Sequence, residues 1–210
     1  MTRPLTLVIG TKRYSSWSLR PWLALKVAGI PFDEMEIALR QPDTKANILA
    51  VSPSGKVPLL IDGSRKIWDS LAICEYLAEQ FPEANLWPAE AEARAVARSA
   101  AAEMHSGFVN LRSQCPMDVC ADTPMAAVSD EVRAEVARIQ ALWAECRARF
   151  GAGGPFLFGR FSIADAMWAP VVTRFTTYHI PLDAVAAAYC DAVWSLPALR
   201  EWQQAAAAAQ

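Results

Sequence analysis

Amino-acid usage breaks about two-fifths of the way along the chain, and this break restricts the possible folds more than any single motif does. All five lysines (Lys12, Lys26, Lys45, Lys56, Lys66) precede residue 67, while 32 of the 39 alanines follow residue 82. Alanine is the best helix former, so the later part is predicted to be helical throughout. The earlier part alternates between strand and helix periods. A boundary is therefore predicted near Pro82–Pro88, with one unit at 1–82, a linker at 83–91 and a second unit at 92–210.

Leu5, Leu7 and Ile9 alternate with Thr6 and Val8, the pattern of a mostly buried strand. A helix starting at Ser15–Ser18 runs to Gly29, with Pro21 acceptable only in its first turn, where a missing N–H is harmless. Met35, Ile37 and Leu39 mark a second strand, and Thr44–Leu49 a short helix. Val57–Ile61 and Lys66–Trp68 flank Asp62-Gly63-Ser64-Arg65, a hairpin signal. Ser70–Phe81 then carries Leu71, Cys74, Leu77 and Phe81 on one helical face. The order is βαβ-α-ββα, and a right-handed crossover makes the first two strands parallel. In the later part, Val132, Val136, Ile139, Trp143, Cys146 and Phe150 form one apolar stripe, ended by Gly151–Pro155. Further helices are predicted from Ser162 and near Leu182, and Ala205–Ala209 reads as a fraying helix end.

Composition excludes several functions. Residues 1–82 carry 10 basic and 8 acidic side chains, and residues 83–210 carry 10 and 14. Neither part has a cationic excess to grip a nucleic-acid backbone or an anionic membrane, so neither partner is expected. No apolar run reaches the roughly 18 residues of a membrane span, and residues 1–10 lack a signal-peptide pattern. Five cysteines without CxxC spacing suggest reduced thiols in a cytoplasm. His105 and His179 stand apart, so no metal site and no histidine-based triad is expected.

Four segments could carry chemistry. Tyr14-Ser15-Ser16-Trp17-Ser18-Leu19-Arg20 lies where a strand passes into a helix. A helix N-terminus favours an anion, and a serine beside it can donate to that anion or simply cap the helix. Ser54-Gly55-Lys56-Val57-Pro58 opens a strand. Pro58 is either an ordinary trans strand start or a cis-proline that leaves the Val57 backbone open to a ligand. Asp69-Ser70 can cap the next helix, or hold the carboxylate and ammonium of an amino-acid zwitterion. Ser162-Ile163-Ala164-Asp165 is a capping box with Asp in place of Glu, and its role is read as structural.

Together with Leu86-Trp87-Pro88 and Asp69-Ser70-Leu71-Ala72-Ile73-Cys74-Glu75-Tyr76-Leu77, these segments resemble the cytosolic glutathione transferase family over nearly the whole chain. The resemblance implies an α/β thioredoxin-like N-terminal domain, an all-α helical-bundle C-terminal domain, and an active site between them. It also implies a cytoplasmic homodimer that uses glutathione as co-substrate, with no metal. Val57, before a cis-Pro58, would pair with the cysteinyl backbone of glutathione, and Asp69 and Ser70 would hold its γ-glutamyl end. Lys56 or Lys45 would meet the glycine carboxylate. The turn is similar to the serine-type classes, including zeta. Gly29 lies fourteen positions after Ser15, as in zeta-like sequences, which selects Ser15 as the thiol-activating residue, with Ser16 and then Tyr14 as alternatives. Trp17 stands where the zeta pattern has cysteine.

The family layout places the electrophile near His105, Phe108, Leu111, Arg112 and the stretch Trp168–Tyr178, where Arg174 would orient an anionic substrate or form a salt bridge. Cys74 falls on an apolar helix face and is read as core. The implied activity is transfer of glutathione to a small electrophile. A glutathione-dependent cis–trans isomerase and a non-catalytic glutathione-binding scaffold are the competing readings.

Overall fold

The computed structural model describes residues 5–125 and 127–209; residues 1–4, 126 and 210, which include the start of the signal-peptide reading and both ends of the domain division, lie outside the described set. Strand β1 (Leu5–Gly10) is followed by α1 (Ser16–Ala28), β2 (Phe32–Ile37), α2 (Thr44–Val51), β3 (Leu59–Asp62), β4 (Arg65–Trp68) and α3 (Ser70–Gln80). The sheet order is β2-β1-β3-β4. Strand β1 runs parallel to β2 and antiparallel to β3, and β3 and β4 form the expected hairpin. Leu5, Leu7 and Ile9 enter the main core, while Val8 joins Ile37, Ile48 and Leu59 on the opposite face under α2. Strand β2 ends at Ile37, short of the predicted Leu39, because Leu39 N–H leaves the ladder and donates to Thr11 Oγ1 at 2.8 Å.

After a 3-10 turn (Pro82–Ala84) the remaining elements are all helical. They are α4 (Ala91–Ser106), α5 (Val109–Gln114), α6 (Asp130–Phe150), α7 (Ile163–Thr177), α8 (Ala184–Trp194) and α9 (Pro197–Ala208). This is a thioredoxin-like domain followed by a helical one. The main core is continuous across both halves, because α1 packs on α7 and α9 as well as on α3. No helix among the described residues is long and apolar enough to cross a membrane.

Two predicted details are corrected. Pro21 is the sixth residue of α1, well inside the helix. Its lost hydrogen bond costs about 3 kcal/mol. Leu19, Trp22, Leu23 and Leu25 are fully buried around it, and burial of such side chains contributes about 1.5–3 kcal/mol each, so packing wins. The C-terminal alanine run does not fray through Ala208. Ala206 is buried, and Trp202 anchors the helix by stacking edge-on against Trp22 and donating Nε1–H to the Lys12 carbonyl at 2.8 Å.

Candidate active site

The turn between β1 and α1 is closed by Tyr14 and Ser15 N–H groups, both donating to the Thr11 carbonyl. Ser15 occupies the position preceding α1 but its side chain caps nothing. Its hydroxyl donates to Ser18 Oγ at 2.7 Å, and Ser18 Oγ also accepts the Gly10 N–H. Ser15 is 6% exposed. Ser16 is the first residue of α1 and half-buried, and its hydroxyl has no partner among the described residues. The Tyr14 ring carries the Arg40 guanidinium at 3.8 Å.

The Val57–Pro58 bond is cis. The Val57 N–H and C=O have no partner among the described residues, as a backbone pairing with a ligand requires. Val57 faces a cavity of about 740 Å³ between the two halves of the chain, shared by Lys56, Asp69 and Ser70 on one side and His105 and Arg112 on the other. Lys45 lines none of the cavities found beside this turn, so Lys56 alone of the two expected lysines reaches the site.

Asp69 and Ser70 begin α3, and Asp69 does two jobs there. Its Oδ1 caps the helix by accepting the Leu71 and Ala72 N–H groups at 2.9 and 3.2 Å. Its Oδ2 lies 3.0 Å from His105 Nε2 on α4. The residue holds φ = 76°, a left-handed conformation that a non-glycine residue adopts at a cost. Ser70 is buried, and behind it lies Arg20, whose Nη1 makes a long 3.5 Å contact with Ser70 Oγ. Arg20 is 1% exposed, its Nε has no partner among the described residues, and its guanidinium lies 4.0 Å from the Trp17 ring. Burial first, then the charges of Arg174 and Arg112, push its pKa down to about 9. Sequence reasoning included Arg20 in the turn segment but gave it no role; the one signal for burial is a charge inside the apolar run Leu19–Leu25.

A second cavity of about 440 Å³ adjoins the first, sharing Trp17, Val57, Val109 and Arg112. Ser15, Ser16 and Tyr14 line it, as do Arg40 and Arg174, and no Asp or Glu does. Arg174 is 4% exposed and forms no salt bridge among the described residues, which corrects one of its two expected roles. Its Nε and Nη1 instead donate to the carbonyls of Cys115 and Pro170, both at 2.9 Å. Burial and the Arg112 charge push its pKa down to about 10, so it remains cationic at neutral pH.

Other expected electrophile residues fall elsewhere. Phe108 adopts φ = 57° after Gly107 and turns its ring inward against Trp168, with centroids 5.5 Å apart. Leu111 and Trp168 are fully buried, and of the stretch Trp168–Tyr178 only Arg174 reaches the second cavity. His105 lines the larger cavity, because it is drawn to Asp69. Cys74 is buried, and desolvation pushes its thiol up to about 12, so it is no thiolate nucleophile. Ser162 and Asp165 lie away from both cavities. Ser162 N–H and Oγ–H donate to Asp165 Oδ2, while Leu157 N–H and the Tyr189 hydroxyl donate to Oδ1.

Comparison with known proteins identifies the family and the fold. The family model for the glutathione S-transferase N-terminal domain matches residues 14–80, and that for the C-terminal domain matches residues 129–205. The chain belongs to the glutathione S-transferase family. It is 26% identical over 183 residues to glutathione S-transferase Z2 of Arabidopsis thaliana, covering 82% of this chain and 80% of the relative. It is 34% identical over 96 residues to a maleylpyruvate isomerase of Ralstonia sp, covering 43% and 45%. A sphingomonad glutathione S-transferase solved in complex with glutathione superposes with a TM-score of 0.65 at 27% identity, covering 96% and 98% of the two chains. Both cavities are lined by residues of the matched N-terminal range, and the smaller one also by Arg174 of the matched C-terminal range.

Proposed function

We propose that this chain is a glutathione transferase whose larger cavity holds glutathione and whose smaller one holds the electrophile. The carrying observation is the meeting, in one cleft, of the serine turn at α1, the unpaired Val57 backbone and the α3 N-terminus. The γ-glutamyl carboxylate would lie at Ser70, with the buried Arg20 charge behind it, and its ammonium at Asp69. Lys56 would face the glycine carboxylate. The sulfur would then lie at the α1 N-terminus. The reading includes a cytoplasmic homodimer, on family resemblance, and the division into units at 1–82 and 92–210.

Magnitudes make thiol activation feasible. A thiol of pKa ~8.5 needs about 2.7 kcal/mol of differential stabilisation to reach about 6.5. A hydrogen bond to an anion contributes ~1.5–3 kcal/mol, and a helix N-terminus ~0.3–1 kcal/mol. Ser15 must turn its proton from Ser18 to the sulfur. That exchanges a neutral bond worth ~1 kcal/mol net for a stronger charge-assisted one, and Ser18 Oγ keeps the Gly10 N–H. Ser15 is also the more desolvated of the two serines. The thiolate attacks the electrophilic carbon, a bond to sulfur forms, and the leaving group departs with the bonding pair. Ultraviolet titration of bound glutathione tests this. Ser15→Ala is expected to return the thiol pKa toward its free value, and Ser16→Ala to leave it depressed. The reverse pattern would transfer the role to Ser16.

One observation favours a second reading. The smaller cavity gathers Arg40, Arg112 and Arg174 with no carboxylate on its lining, which suits a conjugated dicarboxylate better than a neutral electrophile. An isomerase would add the same thiolate to a double bond and eliminate it after rotation, consuming no glutathione. Loss of the cis diacid without loss of free thiol would establish it.

A further inference from the structure

Trp17 lines both cavities, and its ring gathers charge from both halves of the chain. Arg20 of α1 lies 4.0 Å from the ring centroid and Arg112 of α5 lies 4.8 Å from it. The His105 ring meets the indole edge-on at 5.2 Å. Arg112 also donates Nη1–H to the Gly107 carbonyl at 3.2 Å. Its guanidinium is thus fixed between the backbone of its own segment and the indole, at the junction of the two cavities.

Resting on the transferase reading above, we propose that Trp17 is the residue that determines electrophile specificity, by positioning Arg112 to select substrates bearing a negative charge. A cation over an indole is attracted by the ring quadrupole, and more strongly as water is excluded. An unsupported arginine must lose rotamer freedom when it binds an anion. An arginine already fixed on a ring has lost that freedom beforehand, so more of the charge attraction is realised in binding. The lining of the smaller cavity offers no carboxylate to neutralise Arg112, and Asp69 on the lining of the larger one is engaged by the Leu71 and Ala72 N–H groups and by His105, so the Arg112 charge is directed at the ligand. Arg174 is held separately, by two carbonyls, and does not depend on Trp17.

The test compares a chloronitrobenzene bearing a ring carboxylate with its neutral parent, at saturating glutathione. Trp17→Leu keeps an apolar side chain but removes the π face, whereas Trp17→Phe keeps a face. The ratio of kcat/KM, charged over neutral, is expected to fall about tenfold in Trp17→Leu, through the KM of the charged compound. It should stay within about threefold of wild type in Trp17→Phe. Arg112→Gln should lower the ratio similarly, and the Trp17→Leu/Arg112→Gln double variant should lower it no further. A ratio unchanged in Trp17→Leu, or losses that simply add in the double variant, would overturn the proposal. If wild type turns over neither compound, the transferase reading falls. The calorimetric Kd ratio for the same two compounds and variants then decides the proposal by the same criteria.

Discussion

Arg20 and Arg174 are both buried cations with no salt bridge among the described residues, and buried charge is ordinarily paired. Arg20 is oriented toward Ser70 by one long contact, and Arg174 toward the smaller cavity by its two hydrogen bonds to backbone carbonyls. Replacing Arg20 by Met removes the charge behind Ser70, and glutathione binding is expected to weaken about tenfold, by loss of a charge-assisted interaction. Calorimetry with a glutathione analogue lacking the γ-glutamyl carboxylate should show no such difference between the two proteins. Arg174→Gln is expected to raise the KM for a carboxylated electrophile about tenfold and leave that for glutathione within twofold. The turn serines, Val57 and Ser70 were legible in sequence because local order carries them: strand, turn, helix. The role of Arg20 was hidden because residue type does not tell that residues 18–25 of α1 are buried on every side. Phe108 was misread because a single left-handed residue decides whether its ring faces cleft or core.

Helices α7 and α9 show what individual elements contribute. Asp165 at the start of α7 is fully buried and accepts four hydrogen bonds, yet desolvation outweighs them and raises its pKa from 3.8 to about 6. The folded state therefore takes up a proton between about pH 4 and 6. The stability linked to that proton is complete below about pH 4 and lost as pH rises through 6, about 3 kcal/mol in all. Urea unfolding of wild type and Asp165→Asn at pH 4 and pH 6.5 should show it: the deficit of the variant shrinks as pH rises. In α9, Trp202→Ala removes the contact with Trp22 and the bond to Lys12, and should cost about 3–5 kcal/mol in urea unfolding. The capping box was readable from four residues. The docking of α9 was not, because an alanine run signals helix and says nothing about what covers it.

At the scale of the molecule, the two halves were separable by composition yet share one core. Arg98 pairs with Glu75 and His105 with Asp69 across the join, and Ile163 N–H donates to the Leu86 carbonyl of the linker at 2.8 Å. A single unfolding transition is expected by circular dichroism and by tryptophan fluorescence, with coincident midpoints. Two resolved midpoints would show that the halves unfold separately. The placement of α1 against α7 and α9 has a consequence for any attempt to divide the chain. A fragment ending at residue 82 would present Trp22 and its neighbours to water as an adhesive patch, and should be recovered as aggregate. Exchanging the helical half with that of a distant relative should demand matching changes along α1, so the two halves are constrained to diverge in step.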